Sequence, residues 1–347
     1  MPSIFNIKNF SEFKQLALQV FKYQSVNNGI YSQYLKGLNI NVDALTELEQ
    51  IPFLPIEFFK IHQITTNNPV RTDVHSGGQQ SATSNQIFTS SGTTGSVQSK
   101  HYVNDISVYE TSYRKAFELF YGDIEEYSIL ALLPSYLERE GSSLIYMADD
   151  LIKKSKHPQS GFYLDNYDEL IEVLKQLKDQ KIILLGVTYA LLDLAEVIRS
   201  FKVPVLSLSK EGKGNSNLIV METGGMKGKR KEIVREKLHA ILCKGFGVNH
   251  IHSEYGMTEL LSQAYSKGDG IFVCPPWMQV LIRDINDPFT ILPANKTGGI
   301  NVIDLANINS CSFIATQDLG KFIGDKKFEV LGRFDNSDIR GCNLLVE

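Results

Sequence analysis

An alternation of strand-like and helix-like segments from about residue 86 to residue 246 most constrains what this chain can fold into. The short apolar runs SILALLP, KIILLG, VPVLSLS and NLIVMET predict buried strands, whereas DELIEVLKQLKDQ, TYALLDLAEVIRSF and KEIVREKLHAILCKGF have the apolar spacing of amphipathic helices. Such alternation is typical of a mostly parallel sheet that is covered by helices. The sequence therefore predicts an α/β fold.

The two ends of the chain have other patterns. Near the start, SEFKQLALQVFKYQ has helical apolar spacing, and IPFLPIEFFK predicts an extended segment that its prolines and large side chains pin to the core. After about residue 270 the helix-like segments give way to short strand-like runs joined by turns. We therefore expect three parts: an N-terminal helical segment packed on the core (1–60), an α/β core (61–270), and a β-rich subdomain with the C-terminal segment (271–347).

Composition and charge exclude several classes of protein. A formal net charge of -4 gives no electrostatic support for binding nucleic acid or anionic membranes. No run of 18 apolar residues occurs and the N-terminus lacks the features of a signal peptide, so we expect neither a membrane span nor secretion. The four cysteines form no CxxC pair, which argues against a zinc site and a disulfide framework. A cytoplasmic, reduced protein is the expectation.

The segment FTSSGTTGS, residues 88–96, has the composition of a phosphate-binding loop. Its glycines allow close backbone approach, so that several N–H groups can converge on an anion while the hydroxyl groups add donors. No GK[ST] follows, so it is not a Walker A loop. The flanking NQIF and KHYVN predict strands, and Asp105 is expected to cap a following helix. A serine- and glycine-rich surface turn or linker is the alternative. The candidate binding residues are Ser90, Ser91, Gly92, Thr93, Thr94 and Gly95.

A second candidate segment is IHSEYGMTELLSQAY, residues 251–265, which precedes a helix-like run. Tyr255 can stack on a flat base, and Gly256 permits a turn. Thr258 can bind phosphate, and Glu259 can hold Mg²⁺. The alternative is a helix that Thr258 caps and whose dipole Glu259 favours.

Further candidates follow a predicted strand or lie beside the two segments. Asp318 in ATQDLGKF can reach a ligand diol, and Arg333 in LGRFDNSDIRGC carries a fixed fork of donors that suits ribose or phosphate. The alternatives are a turn aspartate and a solvated arginine. His101 and His252 lie beside the two segments, and His252 can help shape the acyl or phosphate site. A structural histidine near a strand end is the alternative.

In this order, SSGTTGS, YGMTE, QDLG and GRF resemble the motifs of the adenylate-forming, or acyl-activating, enzyme superfamily. The closer resemblance is to the acyl-protein synthetases, the LuxE-like enzymes, whose loop reads like FTSSGTTGSxxSxHYVxD against FTSSGTTGSVQSKHYVND here. The ending GRFDNSDIRGC also resembles theirs, and the resemblance covers roughly residues 50–347. It implies the large-domain fold of that superfamily, with the core 61–270 binding nucleotide and acyl group.

The resemblance also implies ATP and Mg²⁺ as cofactors and assigns roles to the candidates. The loop would grip the phosphates, YGMTE would bind adenine and magnesium, Asp318 would bind ribose, and Arg333 would close the domain. The segment LLPSYLEREGSSL (132–144) occupies the place of the acyl pocket. Gly224 and Gly225 in ETGGMKGKRKEI lie where an adenine wall is expected, although the basic run there can equally be a solvated helix start.

The chain departs from most of the superfamily near its C-terminus. Because it ends fourteen residues beyond Arg333, we expect it to lack the usual small C-terminal domain with its catalytic lysine. Lys100 is a candidate to replace that charge. In the acyl-protein synthetases a cysteine near the C-terminus accepts the acyl group, and Cys342 is the matching position. A small apolar residue in a terminal strand is the alternative for Cys342.

These implications predict an ATP-dependent acid–thiol ligase, with a fatty acid as the expected substrate. The acyl group would pass from acyl-adenylate to a protein thiol, and an acyl-accepting reductase or carrier protein is the expected partner. One alternative is an acyltransferase of the same fold that feeds coenzyme A, an amine or a carrier protein. Another is a non-catalytic nucleotide-binding protein. A P-loop kinase is opposed by the missing GK[ST].

Overall fold

The structure is a computed structural model that describes residues 4–67, 69–70, 86–91, 97–133, 141–164, 166–200, 217–224, 230 and 233–334. Several sequence predictions lie outside the described residues: those for the run VPVLSLS and for Gly92, Thr93, Thr94, Gly95, Gly225 and Cys342.

The predicted α/β character is confirmed by the described helices and strands. The helices are α1 (Phe10–Asn27), α2 (Gly29–Gly37), α3 (Phe58–Ile61), α4 (Ile106–Tyr121), α5 (Ser143–Ser155), α6 (Tyr167–Gln176), α7 (Thr188–Ser200) and α8 (Arg235–Phe246). The strands are β1 (Leu54–Pro55), β2 (Gln86–Thr89), β3 (Lys100–Val103), β4 (Tyr127–Leu132), β5 (Gly161–Phe162), β6 (Lys181–Val187), β7 (Leu218–Thr223), β8 (His252–Tyr255), β9 (Ala264–Ser266), β10 (Ile271–Val273), β11 (Met278–Arg283), β12 (Thr297–Asp304), β13 (Phe313–Gly324) and β14 (Lys327–Arg333). No helix among the described residues is both long and apolar enough to cross a bilayer.

The chain forms two compact units. One comprises Met1–Val70 and Pro276–Glu347, and the other comprises Arg71–Pro275. The N-terminal helices thus share a unit with the C-terminal strands. The three-part domain division made from the sequence stays a prediction.

The first unit is an antiparallel sheet with a helical flank. Strands β11, β12, β13 and β14 pair in chain order, and β1 pairs with β13 in parallel. Its core is aromatic, because the rings of Phe21, Tyr31 and Phe53 all pack against Phe313, at centroid distances of 5.8, 6.1 and 6.2 Å. The segment IPFLPIEFFK supplies β1, as its extended pattern predicts, but it ends in the short helix α3.

The second unit contains the parallel sheet that the alternation predicts. Strands β5, β4, β6, β7 and β8 are parallel neighbours in this order, and β9 and β10 extend the sheet antiparallel from β8. The strands β2 and β3 form a separate two-stranded ribbon. As predicted, Asp105 caps α4, since its Oδ1 accepts a hydrogen bond from the backbone N–H of Ser107 at 3.1 Å.

The helix expected after the segment YGMTE is wrong. Residues 256–263 form irregular chain with a turn, and β9 follows at Ala264. The reason is strand pairing: Tyr255 of β8 lies opposite Ala264 of β9, so the chain must reverse direction between them. A helix continuing from Tyr255 could not place β9 beside β8.

Candidate active site

A cleft of about 150 Å³ lies at the carboxyl ends of the parallel strands in the second unit. Its wall includes Leu133 after β4, Val187 at the end of β6, Thr223 at the end of β7 and Glu254 in β8. Crevices outside the carboxyl ends of parallel strands are the usual ligand sites of α/β sheets. The strand order of this unit therefore predicts the position of the cleft.

Four residues that the sequence motifs single out lie in the wall of this cleft: Ser91, Gly224, Gly256 and Thr258. They come from three segments that are far apart in the chain, namely the end of the β2 side of the ribbon, the turn after β7 and the turn after β8. The fold thus brings together motifs that the sequence analysis identified one at a time. Their individual roles stay predictions.

Gly256 has a steric reason to be glycine. A Cβ built at this position would lie 2.4 Å from Oε1 of Glu254 and 3.2 Å from Cγ of Gln263. Any larger residue would therefore displace a buried carboxylate in the wall of the cleft.

Ser90 closes the base of the phosphate-loop candidate. Its Oγ accepts a hydrogen bond from the backbone N–H of Ser99 at 2.9 Å, and its own N–H donates to the Ser99 carbonyl at 3.1 Å. These two bonds join the ends of the segment 91–98, so Ser90 holds the ends of the loop together and is not itself part of the cleft wall.

Three other candidates of the second unit are also not among the residues that line the cleft: Lys100, Tyr255 and Glu259. Lys100 is exposed in β3. Tyr255 is buried and packs edge-on against Phe272 at 5.9 Å between ring centroids. Glu259 is 5% exposed and directly follows Thr258 of the wall. Their predicted roles in charge compensation, adenine stacking and magnesium binding stay predictions.

The two remaining candidates belong to the first unit, where they lie opposite each other. Asp318 of β13 is the register partner of Arg333 of β14, and Arg333 Nε donates to Asp318 Oδ1 at 3.0 Å. The Asp318 side chain is buried, whereas that of Arg333 is 69% exposed. Their roles toward ribose and domain closure stay predictions.

Glu254 is the carboxylate of the cleft wall to which the sequence analysis assigned no role. It is buried, and its Oε2 accepts a hydrogen bond from Thr223 Oγ1 at 2.5 Å. Burial raises the pKa of Glu254 to about 7, the charge of Glu222 adds to this effect, and the Thr223 hydrogen bond opposes it. The sequence signal that could have identified Glu254 is an acidic residue at the end of a segment with the pattern of a buried strand.

A second buried carboxylate, Glu222, holds the neighbouring turn in place. Its Oε1 accepts hydrogen bonds from Arg235 Nη1 at 3.0 Å and from Ser253 Oγ at 2.8 Å. Thr188 Oγ1 lies 3.0 Å from Glu222 Oε2 and 2.7 Å from the carbonyl oxygen of Gly224. A hydroxyl carries one proton, so Thr188 donates to either Glu222 or the Gly224 carbonyl, and its position between these two acceptors keeps the Gly224 turn beside Glu222.

Burial alone would favour the neutral form of Glu222, but its neighbours favour the charged form. Burial is the largest influence and acts to raise the pKa, but nearby His239, Arg235 and Ser253 together outweigh it, so the pKa of Glu222 is lowered. His239 Nε2 lies 3.7 Å from Glu222 Oε1. Glu222 is accordingly a charged anchor at neutral pH.

The rest of the cleft wall is largely apolar: Tyr109, Leu133, Leu144, Ile145, Met147 and Met257. Leu144, Ile145 and Met147 belong to the start of α5, which Ser142 caps. The Tyr109 hydroxyl donates to the carbonyl of Ser143 at 3.0 Å, so helix α4 is tied to this helix start. The cleft wall thus combines polar side chains from loops and turns with apolar side chains.

The donor set suits a magnesium ion that arrives with a nucleotide. Among the described residues, no group of three or more His, Cys, Asp or Glu side chains is placed to hold a metal ion. Mg²⁺ bound to nucleotide phosphates commonly takes only one or two carboxylates from the protein and fills its other positions with phosphate oxygens and water. Glu259 would supply one such carboxylate directly after Thr258 in the chain, but it is not among the residues that line the cleft, so its role as a magnesium ligand stays a prediction.

Comparisons with known proteins bear on the fold and the family of the chain. Among solved structures, the chain is similar to 2-hydroxyisobutyryl-CoA ligase in complex with 2-HIB-AMP and CoA, with a TM-score of 0.67, 15% identity, and coverage of 94% of this chain and 68% of that one. It is also similar to ATP-bound MatB from Rhodopseudomonas palustris, with a TM-score of 0.51, 17% identity, and coverage of 71% and 47%. The match therefore spans about half the length of MatB. A comparison with curated proteins found no match.

The similarity to these two ligases, at 15% and 17% identity, shows that the chain shares their fold, and it confirms the predicted α/β fold class. The family comparison goes further, because the profile described as "Acyl-protein synthetase, LuxE" matches residues 8–347. The resemblance inferred from the loop and the C-terminal motif is thereby confirmed. The chain belongs to the LuxE family of acyl-protein synthetases.

Proposed function

We propose that this protein uses ATP to activate a carboxylic acid, in the form of an acyl-adenylate, and transfers the acyl group to a protein thiol. The observation that carries the proposal is the cleft where Ser91, Gly224 and Thr258 meet, each predicted from a different nucleotide-binding motif. Membership of the LuxE family and the fold of adenylate-forming ligases support it.

In the first half-reaction, a carboxylate oxygen of the acid attacks the α-phosphorus of ATP, and the bond to the bridging oxygen of pyrophosphate breaks. Negative charge grows on the phosphate oxygens as this happens. The hydroxyls of Ser91 and Thr258 are donors in the cleft wall that would stabilise this charge. Bound Mg²⁺, with Glu259 as its protein ligand, would neutralise part of the same charge. Alignment of the two reactants supplies much of the remaining acceleration.

The apolar side chains in the cleft wall favour a substrate acid that carries a hydrocarbon chain. Leu144, Ile145 and Met147 present apolar side chains within the same cleft as the polar donors. Burial of methylene groups against such a wall contributes about 0.8 kcal/mol for each group. A fatty acid is therefore the substrate class that we propose.

In the second half-reaction, a thiolate attacks the acyl carbonyl carbon, a thioester forms, and AMP leaves with the bonding electron pair. A thiolate is the reactive form of cysteine and is a strong nucleophile toward a mixed anhydride. Cys342 is the proposed acceptor on the basis of its position in RGCNLL, and a reductase or carrier protein would take the acyl group from it.

The first half-reaction is tested by carboxylate-dependent exchange of labelled pyrophosphate into ATP. Purified protein with Mg-ATP is assayed against a panel of short, long and aromatic acids, and exchange above the acid-free background is expected with the fatty acids. If no acid supports exchange while ATP still binds, the protein is a non-catalytic nucleotide-binding protein and the proposal fails.

The acceptor is tested by Cys342→Ser, with Cys243→Ser as the matched control because Cys243 is partly exposed. After incubation with labelled acid and ATP, we expect the Cys342→Ser protein to lose the label that neutral hydroxylamine releases. Pyrophosphate exchange should stay within about twofold of wild type, because the thiol acts only after the adenylate forms. Thioester label retained in the Cys342→Ser protein would place the acyl group on another thiol of the chain and overturn the role of Cys342. A wild-type protein that stays unlabelled but transfers the label to added coenzyme A, an amine or a carrier protein would favour that acceptor.

A further inference from the structure

The ribbon formed by β2 and β3 is tied to the turn after β8 by one buried histidine. His101 lies in β3, opposite Phe88 of β2, and its side chain is fully buried. Its Nδ1 lies 2.8 Å from the backbone carbonyl oxygen of Thr258. The ribbon carries the phosphate-loop candidate between its strands, and Thr258 lines the cleft. His101 thus links the ribbon, whose Ser91 lines the cleft, to the turn that carries Thr258.

The protonation of the ring follows from its surroundings. Burial lowers the pKa of His101 to about 4, although the Thr258 hydrogen bond opposes this, so the ring is neutral at pH 7 and carries one proton. A carbonyl oxygen can only accept a hydrogen bond, so that proton is on Nδ1. The contact is therefore an Nδ1–H donor to the Thr258 carbonyl.

This hydrogen bond orients more than one atom. The carbonyl of Thr258 and the N–H of Glu259 belong to one planar peptide group, so fixing the oxygen fixes the plane of the whole group. The Cα atoms of Thr258 and Glu259 lie in that plane, so the bond holds the backbone positions from which both side chains project. The residues proposed to bind phosphate and magnesium thus share one backbone restraint.

We propose that His101 is a positioning residue, which fixes the Thr258–Glu259 peptide relative to the β2–β3 ribbon, so that Thr258 and Ser91 just after β2 are held together in the wall of the cleft that binds Mg-ATP. This inference rests on the proposed function. It gives a role to a histidine to which the sequence motifs assign no contact with the nucleotide.

The test compares three substitutions in the pyrophosphate-exchange assay. His101→Leu removes the donor at similar volume, whereas His101→Asn places an amide N–H near the position of Nδ1. Ser112→Ala is the matched control, because Ser112 Oγ of α4 makes another buried hydrogen bond, 3.0 Å long, to Ser262 Oγ of the same irregular segment but outside the cleft wall. Each protein is measured for KM of Mg-ATP, kcat and thermal midpoint.

We expect His101→Leu to raise the KM for Mg-ATP about tenfold or more, as loss of a residue that orients ligands commonly does. His101→Asn should return it to within about threefold of wild type. Ser112→Ala should leave KM within about twofold while lowering the thermal midpoint, since it removes a buried hydrogen bond without touching Thr258.

A wild-type KM in His101→Leu, or a KM that simply follows the thermal midpoint across all three variants, would overturn the inference while leaving the proposed function intact. If His101→Leu does not fold, His101→Gln replaces it, because its amide lies nearer the position of Nε2 and should fail to restore KM. Rescue by Gln equal to that by Asn would also overturn the inference. Absence of exchange in wild-type protein would overturn both proposals.

Discussion

Two buried carboxylates on neighbouring strands of the parallel sheet differ in their charge. In the register of β7 and β8, Glu222 lies opposite Ser253, and Thr223 lies opposite Glu254. Because side chains alternate between the faces of a strand, Glu222 and Glu254 project from opposite faces of the sheet. On the face of Glu222, the positive charge of Arg235 stabilises the buried carboxylate. On the face of Glu254, the carboxylate accepts a hydrogen bond from the neutral Thr223 hydroxyl.

The residues that interact with each carboxylate, and not its burial, decide whether it is charged at neutral pH. Burial disfavours the charged form of both, yet the pKa of Glu222 is lowered and that of Glu254 is raised to about 7. Glu222 therefore stays ionised and holds the Gly224 turn. Glu254 changes its charge near neutral pH in the wall of the cleft. The titratable groups that interact with Glu254 are Glu222 of β7, Tyr109 and Tyr121 of α4, and Tyr265 of β9.

The largest expected effect comes from removing the anchor. Glu222→Ala leaves Arg235 without its buried carboxylate, and breaking a buried ion pair from one side typically costs about 3–5 kcal/mol of unfolding free energy. Urea denaturation at pH 8 measures the loss. Glu236→Ala, an exposed carboxylate in the first turn of α8, is the control and should cost less than about 1 kcal/mol. Equal losses in the two variants would contradict the anchor role of Glu222.

Glu254→Gln should stabilise the protein, and only at higher pH. Because the folded-state pKa of Glu254 is about 7, above its ordinary value of 4.5, its contribution to stability is fully present below pH 4.5 and is lost as the pH rises through 7. Glutamine does not titrate, so the variant should gain roughly 1–3 kcal/mol over wild type at pH 8 and little at pH 4. Unfolding curves of both proteins from pH 4 to 8 measure the difference. A gain that does not vary with pH would show that Glu254 is charged throughout.

The smallest effect is expected for Thr223→Val, which removes the hydroxyl that donates to Glu254. The loss should be about 1 kcal/mol at pH 8 and smaller at pH 5, because hydrogen bonds to a charged acceptor are stronger than those to a neutral one. Without the hydroxyl, the pKa of Glu254 should rise further. Denaturation at the two pH values tests this, and a larger loss at pH 5 would contradict it.

The strands and helices of the second unit could be predicted because each has the apolar periodicity of its own type of secondary structure. KIILLG became β6, and TYALLDLAEVIRSF became α7. The helix expected after YGMTE was wrong because the pairing of β8 with β9 reverses the chain there, and no local pattern encodes that contact.

The candidate site divides in the same way. Short motifs carry their own chemistry, so Ser91, Gly256 and Thr258 could be named in advance, and the fold places them in one cleft. The contrast between Glu222 and Glu254 could not be predicted, because it depends on the register of two strands about thirty residues apart in the sequence. The same is true of the bond between His101 and Thr258, which spans 157 residues.

The β2–β3 ribbon is a separate two-stranded sheet, and this affects where the protein unfolds locally. Among the described residues, its two strands pair only with each other, and a two-stranded ribbon is marginally stable in water on its own. Its attachment therefore depends on few contacts: the hydrogen bond that the Thr89 N–H donates to the Gly141 carbonyl at 2.7 Å, and side chains such as Phe88 and His101, which it buries. Amide deuterium uptake should consequently be faster in β2 and β3 than in the central strands β6 and β7, and bound nucleotide should slow it in the ribbon first.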